Sequence, residues 1–218
     1  MTRRFDLIVF DWDGTLMDSA GHIVRAIQAA AGDLGLPTPS DKAARHVIGL
    51  GLHDAIARAI PDARAEHVPQ LAERYKHHYL ASDRDLSLFE GVIELIDHLH
   101  HDQRWLAVAT GKSRAGLNRV LASTGLVSRF HATRCVDECH SKPHPQMLHE
   151  LMDELGAEPA RTLMIGDTTH DLNMANNAGV AGVGVTFGAH PVEELLSAKP
   201  LACLNSIGEL MLWLKTNA

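Results

Sequence analysis

Near its start the chain carries the apolar run "LIVF" at 7–10, which stops at two aspartates set one residue apart, Asp11 and Asp13. A short continuous apolar run of this kind suits a strand covered on both faces. From about Ser19 to about Ser82 the spacing becomes helical, with breaks at "LGLPTPS", "IGLGL" and "IPDA". In "GHIVRAIQAAAGDL" Ile23, Ile27 and Ala30 share one face, and in "ARAEHVPQLAERYKHHYL" Val68, Leu71, Tyr75 and Tyr79 do. From Glu90 onward strands and helices alternate. The strands are "RWLAVAT", "RFHATRCV", "RTLMIGD", "VAGVGVT" and "PLACL". The helices are "EGVIELIDHLHH", "RAGLNRVLASTG", "PQMLHELMDELG", "DLNMANNAG", "PVEELLSA" and "SIGELMLWL".

Strands separated by helices predict β-α units and a parallel sheet. The expected fold class is α/β: a doubly wound, Rossmann-like core from 1–16 and 84–218, with an all-helical domain, 17–83, inserted after the first strand. A length of 218 residues with 45% hydrophobic content supports one such core and a modest second lobe. The 27 acidic against 20 basic residues, a formal charge of -7, argue against a nucleic-acid partner. No apolar run approaches the ~18 residues of a membrane span. Asp6, Asp11 and Asp13 interrupt any leader-like segment at the N-terminus. With only three cysteines, irregularly spaced, a disulfide framework is not expected and a reducing, cytoplasmic setting is.

In an open parallel sheet, ligands bind beyond the carboxyl ends of the strands. Three expected strands end in Asp11 and Asp13, in Thr110 and in Asp167; Lys142 in "HSKPHPQ" and Asp171 join them. Crowded aspartates repel unless a hard cation neutralises them, and Mg2+ takes a few carboxylate oxygens together with phosphate oxygens. A carboxylate also serves as nucleophile in phosphoryl transfer, with a lysine and a hydroxyl binding the phosphoryl oxygens.

These stretches, "DWDGT" at 11–15, "TGK" at 110–112, Lys142 and "GDTTHD" at 166–171, resemble the four ordered motifs of the haloacid dehalogenase superfamily. The helical insert resembles the small α-helical cap of its phosphoglycolate-phosphatase-like branch. The resemblance implies a Mg2+-dependent phosphatase in which Asp11 attacks phosphorus and Asp13 is the acid and base. Asp13 is then expected to be pushed upward in pKa by burial and by negative neighbours. It further implies that Thr110, Gly111 and Lys142 grip the phosphoryl group, with Gly14, Thr15 and Lys112 nearby. Asp11, the carbonyl of Asp13 and Asp167 hold the metal, with Asp171 in support. Gly14 permits the turn between the aspartates and Thr15 hydrogen-bonds around it. Trp12, where the family more often has an aliphatic residue, is read as a core residue or as a wall of the entrance.

The expected partner is a small phosphorylated metabolite, 2-phosphoglycolate being the leading candidate, with Arg25, Arg45 or His46 as contacts for its carboxylate. A β-phosphoglucomutase-like mutase, a pyrophosphatase and a non-catalytic binding module are the alternatives. The chain is expected to be a monomer or weak homodimer, bound to neither membrane nor nucleic acid. Cys135, Cys139, His140 and His144 lie close in sequence without the spacing of a structural zinc site.

Overall fold

A computed structural model of the chain describes residues 4–81 and 86–218. Its sheet has six parallel strands: β1 (Leu7–Phe10), β2 (Trp105–Thr110), β3 (Ala132–Cys135), β4 (Thr162–Gly166), β5 (Ala181–Val185) and β6 (Cys203–Leu204). Their order is β3-β2-β1-β4-β5-β6, so the first strand lies between β2 and β4. That position explains why all four residues of "LIVF" are apolar and buried. Ile8 and Phe10 enter the core on one face of the sheet, and Leu7 and Val9 enter the core on the other.

Helices α1 (Ala20–Asp33), α2 (Asp41–His46), α3 (Leu52–Ala59) and α4 (Val68–Ala81) follow β1 directly. They enclose a core of their own, in which Ile27, Ala30, Ile56 and Leu71 are buried. The expected boundary between 83 and 84 falls outside the described residues. The remaining helices connect the strands: α5 (Val92–His101), α6 (Arg114–Thr124), α7 (Gln146–Leu155), α8 (Thr169–Asn177), α9 (Val192–Ser197) and α10 (Ile207–Asn217). No helix among the described residues is long and apolar enough to cross a membrane.

Among the elements that differ in extent from the sequence pattern, β3 is confined to Ala132–Cys135 within "RFHATRCV" and α4 begins only at Val68. The last strand is limited to Cys203–Leu204 rather than "PLACL", because Pro200 has no N–H for a ladder and Leu201 is exposed. Helix α8 begins earlier than Asp171, because the Thr168 hydroxyl accepts from the Asp171 N–H and starts the helix at Thr169. Replacing the fully buried Leu71 by alanine would leave a cavity in the helical core. Leu71→Ala is expected to cost about 2–5 kcal/mol in urea unfolding, without loss of the sheet.

Candidate active site

The polar ends of the central strands converge as the topology requires. Asp11 follows β1, Thr110 closes β2 and Asp167 follows β4; all three are buried. The loop after β1 turns through Gly14, whose φ of +81° lies in the left-handed region. A Cβ at Gly14 would stand 2.2 Å from Asp167 Oδ2, so only glycine lets the two loops meet.

Lys142 is the counter-charge of this cluster. Its ammonium lies 2.8 Å from Asp11 Oδ1 and 2.6 Å from Asp171 Oδ1, with both carboxylates and the ammonium shielded from solvent. Burial alone would push Lys142 down, but Asp11 and Asp171 more than offset it and the net direction is up. Burial pushes Asp11 up to about 7; Lys142 opposes this and Asp171 and Asp13 add to it. Asp167 is raised well above the usual carboxylate range by burial, then by Asp11 and Asp171. Thr15 donates to Asp167 Oδ1 at 2.8 Å and the Ala189 N–H donates to Oδ2 at 2.7 Å. Asp171 Oδ2 accepts from the Thr168 N–H and hydroxyl, so Asp171 both caps α8 and braces Lys142. Asp11 Oδ2, by contrast, is buried and has no hydrogen-bond partner among the described residues.

Asp13 sits nearer the surface of the site. Its carboxylate accepts from Lys112 Nζ at 2.8 and 2.9 Å and from the Ser19 hydroxyl at 2.6 Å. The negative surroundings expected for it are replaced by an ammonium and a hydroxyl. Lys112 also donates to the Tyr79 hydroxyl at 3.0 Å, joining the core to α4. A second junction forms where the Gly51 N–H donates to Ser141 Oγ at 2.9 Å. A third has His170 and His190 donating through Nε2 to the His46 carbonyl at 2.8 and 3.2 Å. Between the helical lobe and the strand ends lies a cleft of about 710 Å³, with Asp11, Asp13, Gly111 and Lys112 in its walls.

Several expected residues stand elsewhere. The Thr15 N–H donates to the Trp12 carbonyl across the turn at 3.4 Å, as expected, while its hydroxyl is taken by Asp167 rather than left for a phosphate, and Gly14 is covered by the same carboxylate. Arg25 and Arg45 are absent from the cleft walls. Ile23 and Ile27 turn α1 toward the cleft, and Arg25 lies about 200° around the helix from each. His46 uses its carbonyl as the lobe's anchor, and its ring stacks on His190. Trp12 is a core residue, fully buried and edge-on to Phe130. Cys135 packs in the sheet's core and the Cys139 thiol approaches Glu150, so these side chains form no metal cluster among the described residues. Ser19 and Ala189 had no signal in the sequence pattern. Tyr79 had one, but as an apolar face position, with its hydroxyl left out.

The Asp11, Asp167 and Asp171 carboxylates approach within 4.8 Å of one another. An all-oxygen set with an unpartnered Asp11 Oδ2 fits a hard divalent cation.

A strand-end carboxylate cluster under a helical lobe, on a parallel sheet with β1 at its centre, defines a class of α/β enzymes whose chemistry is carried by aspartates. The chain belongs to the haloacid dehalogenase-like hydrolase family, whose model matches residues 8–185. It is 38% identical over 211 residues to "Probable phosphatase IndB" of Dickeya dadantii, covering 94% of this chain and 91% of that one. It is 31% identical over 209 residues to a phosphoglycolate phosphatase of Aliivibrio fischeri, with 92% of each covered. The fold is shared with a hydrolase from Pseudomonas syringae at a TM-score of 0.90 and 23% identity, over 98% of this chain and 99% of that one.

The raised carboxylates make the metal-free fold sensitive to pH. Folded Asp11 retains its proton up to about pH 7, whereas an unfolded aspartate releases it near 3.8. The folded state therefore binds more protons in that interval, and stability falls as pH rises through it. His190, which burial lowers to about 4, contributes with the opposite sign in this window, so the test is the difference between wild type and Asp11→Asn. In chelator, the melting temperature of wild type relative to Asp11→Asn is expected to fall between about pH 4 and pH 7. A difference that rises across this window would contradict the assignment.

Proposed function

We propose that the protein is a Mg2+-dependent phosphomonoesterase that works through a phosphoaspartate on Asp11. The observation that carries this reading is Asp11 Oδ2: a buried carboxylate oxygen with no partner among the described residues, on a residue that lines the cleft. The phosphatase names of relatives at 38% and 31% identity support it.

Asp11, the Asp13 backbone carbonyl and Asp167 would hold Mg2+, with Asp171 behind them. When bound, the ion supplies positive charge that keeps the crowded carboxylates ionised and withdraws charge from the phosphoryl oxygens. Lys142, the Thr110 hydroxyl and the Gly111 N–H bind the remaining phosphoryl oxygens. Asp11 attacks phosphorus, and the bond from phosphorus to the ester oxygen breaks. Asp13 gives its proton to the departing alkoxide. The Lys112 contact now on Asp13 is exchanged for the phosphate, which leaves Asp13 able to carry that proton. Asp13 then takes a proton from a water that attacks phosphorus and breaks the Asp11 acyl phosphate. Inorganic phosphate leaves, and both carboxylates return to their starting state.

Phosphate release from a panel of monoesters tests the reading. Activity is expected to require Mg2+, to vanish in chelator and to fall at least about 1,000-fold in Asp11→Asn. Mg2+ is also expected to raise the melting temperature more at pH 8 than at pH 5, because it binds the ionised cluster. Wild-type rates in Asp11→Asn would overturn the mechanism.

A further inference from the structure

The walls of the cleft select among phosphate esters, granted the phosphatase reading above. At about 710 Å³ it lies within the ~300–1,000 Å³ range of sites that take cofactor- and drug-sized ligands. A two-carbon ester such as 2-phosphoglycolate leaves most of that space unfilled.

The lobe side of the cleft is apolar and aromatic, with Ile23, Ile27, Leu50, Leu52, Tyr75 and Tyr79 contributing. A carboxylated substrate needs a cation beyond the phosphate, and the cleft's candidates are Lys112, Lys76 and Arg119, with His53 and His140. Lys112 is engaged by Asp13 and Tyr79. Lys76 and Arg119 are exposed, and Asp54 and Asp137 stand among the same lining residues. Besides His53, Asp54 and Lys76, the lobe side presents two tyrosine hydroxyls, of which that of Tyr79 is taken by Lys112. The Tyr75 hydroxyl has no hydrogen-bond partner among the described residues, although the ring is half-buried and 5.7 Å from the Tyr79 ring. A tyrosine in such a place offers a flat face for stacking and a donor and acceptor at its tip.

We infer that the substrate is the monophosphate of a bulky, uncharged, ring-bearing alcohol of nucleoside size. Its ring lies against Tyr75 and the aliphatic wall, and the Tyr75 hydroxyl bonds a polar atom of that ring. Tyr75 is thus a specificity-determining residue that the motifs of the core do not include.

Steady-state kinetics on uridine 5′-monophosphate, 1-naphthyl phosphate, 2-phosphoglycolate and 3-phosphoglycerate test this, using wild type, Tyr75→Phe and Tyr75→Ala. The two ring esters are expected to exceed the two carboxylated esters in kcat/KM by at least about tenfold. Tyr75→Phe keeps the ring and loses the hydroxyl. It is expected to lower the ratio of the uridine to the naphthyl ester by roughly 3- to 10-fold. Tyr75→Ala is expected to lower both ring esters relative to the carboxylated ones, and unchanged melting of Tyr75→Phe guards against a folding effect. Preference for 2-phosphoglycolate, or a uniform loss on all four esters in Tyr75→Phe, overturns the inference while the phosphatase reading stands. No phosphate release from any ester overturns that reading, and this inference with it.

Discussion

A single buried ammonium among buried carboxylates is the constraint on which the rest of the site depends. Lys142 lies between Asp11 and Asp171, while Asp167 stands close by without a cation of its own. An unpaired buried charge is strongly unfavourable, so removing one partner costs more than the pair contributes net. The surrounding structure is therefore arranged to hold the charges still. The Ala189 N–H and Thr15 fix Asp167, the start of α8 fixes Asp171, and one oxygen of Asp11 is left unpartnered. This arrangement favours a bound cation more than it favours an empty, fully ionised site.

The lobe is tied to the core close to the same charges. Lys112 spans Asp13 and Tyr79, and Gly51 reaches Ser141. A Cβ on Gly111 would come within 2.6 Å of the Gly49 carbonyl and 2.7 Å of that of Leu50. The glycine of "TGK" is therefore restricted by the lobe as well as by any phosphate. In that sense the loop after β2 and the helical lobe share one surface.

Much of this was legible in the sequence, for reasons that differ residue by residue. β1 was legible because a central parallel strand needs apolar residues on both faces, and "LIVF" has nothing else. The gathering of Asp11, Thr110 and Asp167 followed from topology, since parallel strands bring their carboxyl ends to one edge. The turn role of Thr15 was legible, but its hydroxyl's partner, Asp167, was not, because it is distant in sequence. Arg25 was selected for its charge, whereas the phase of α1 decides what reaches the cleft, and Ile23 and Ile27 occupy that phase. Tyr75 and Tyr79 were assigned to an apolar stripe, which is correct for their rings and silent about their hydroxyls.

The place of β1 in the sheet has a consequence for how the chain reaches this state. The strand that ends at Asp11 precedes the whole helical lobe in the chain, yet its neighbours β2 and β4 are made only after that lobe. Its pairing is non-local, which slows folding and leaves an apolar segment without its sheet while synthesis continues. The lobe, with a core assembled from neighbouring helices, is free to form in the meantime. The strand leading to Asp11 is thus made before the lobe and sheltered only after it.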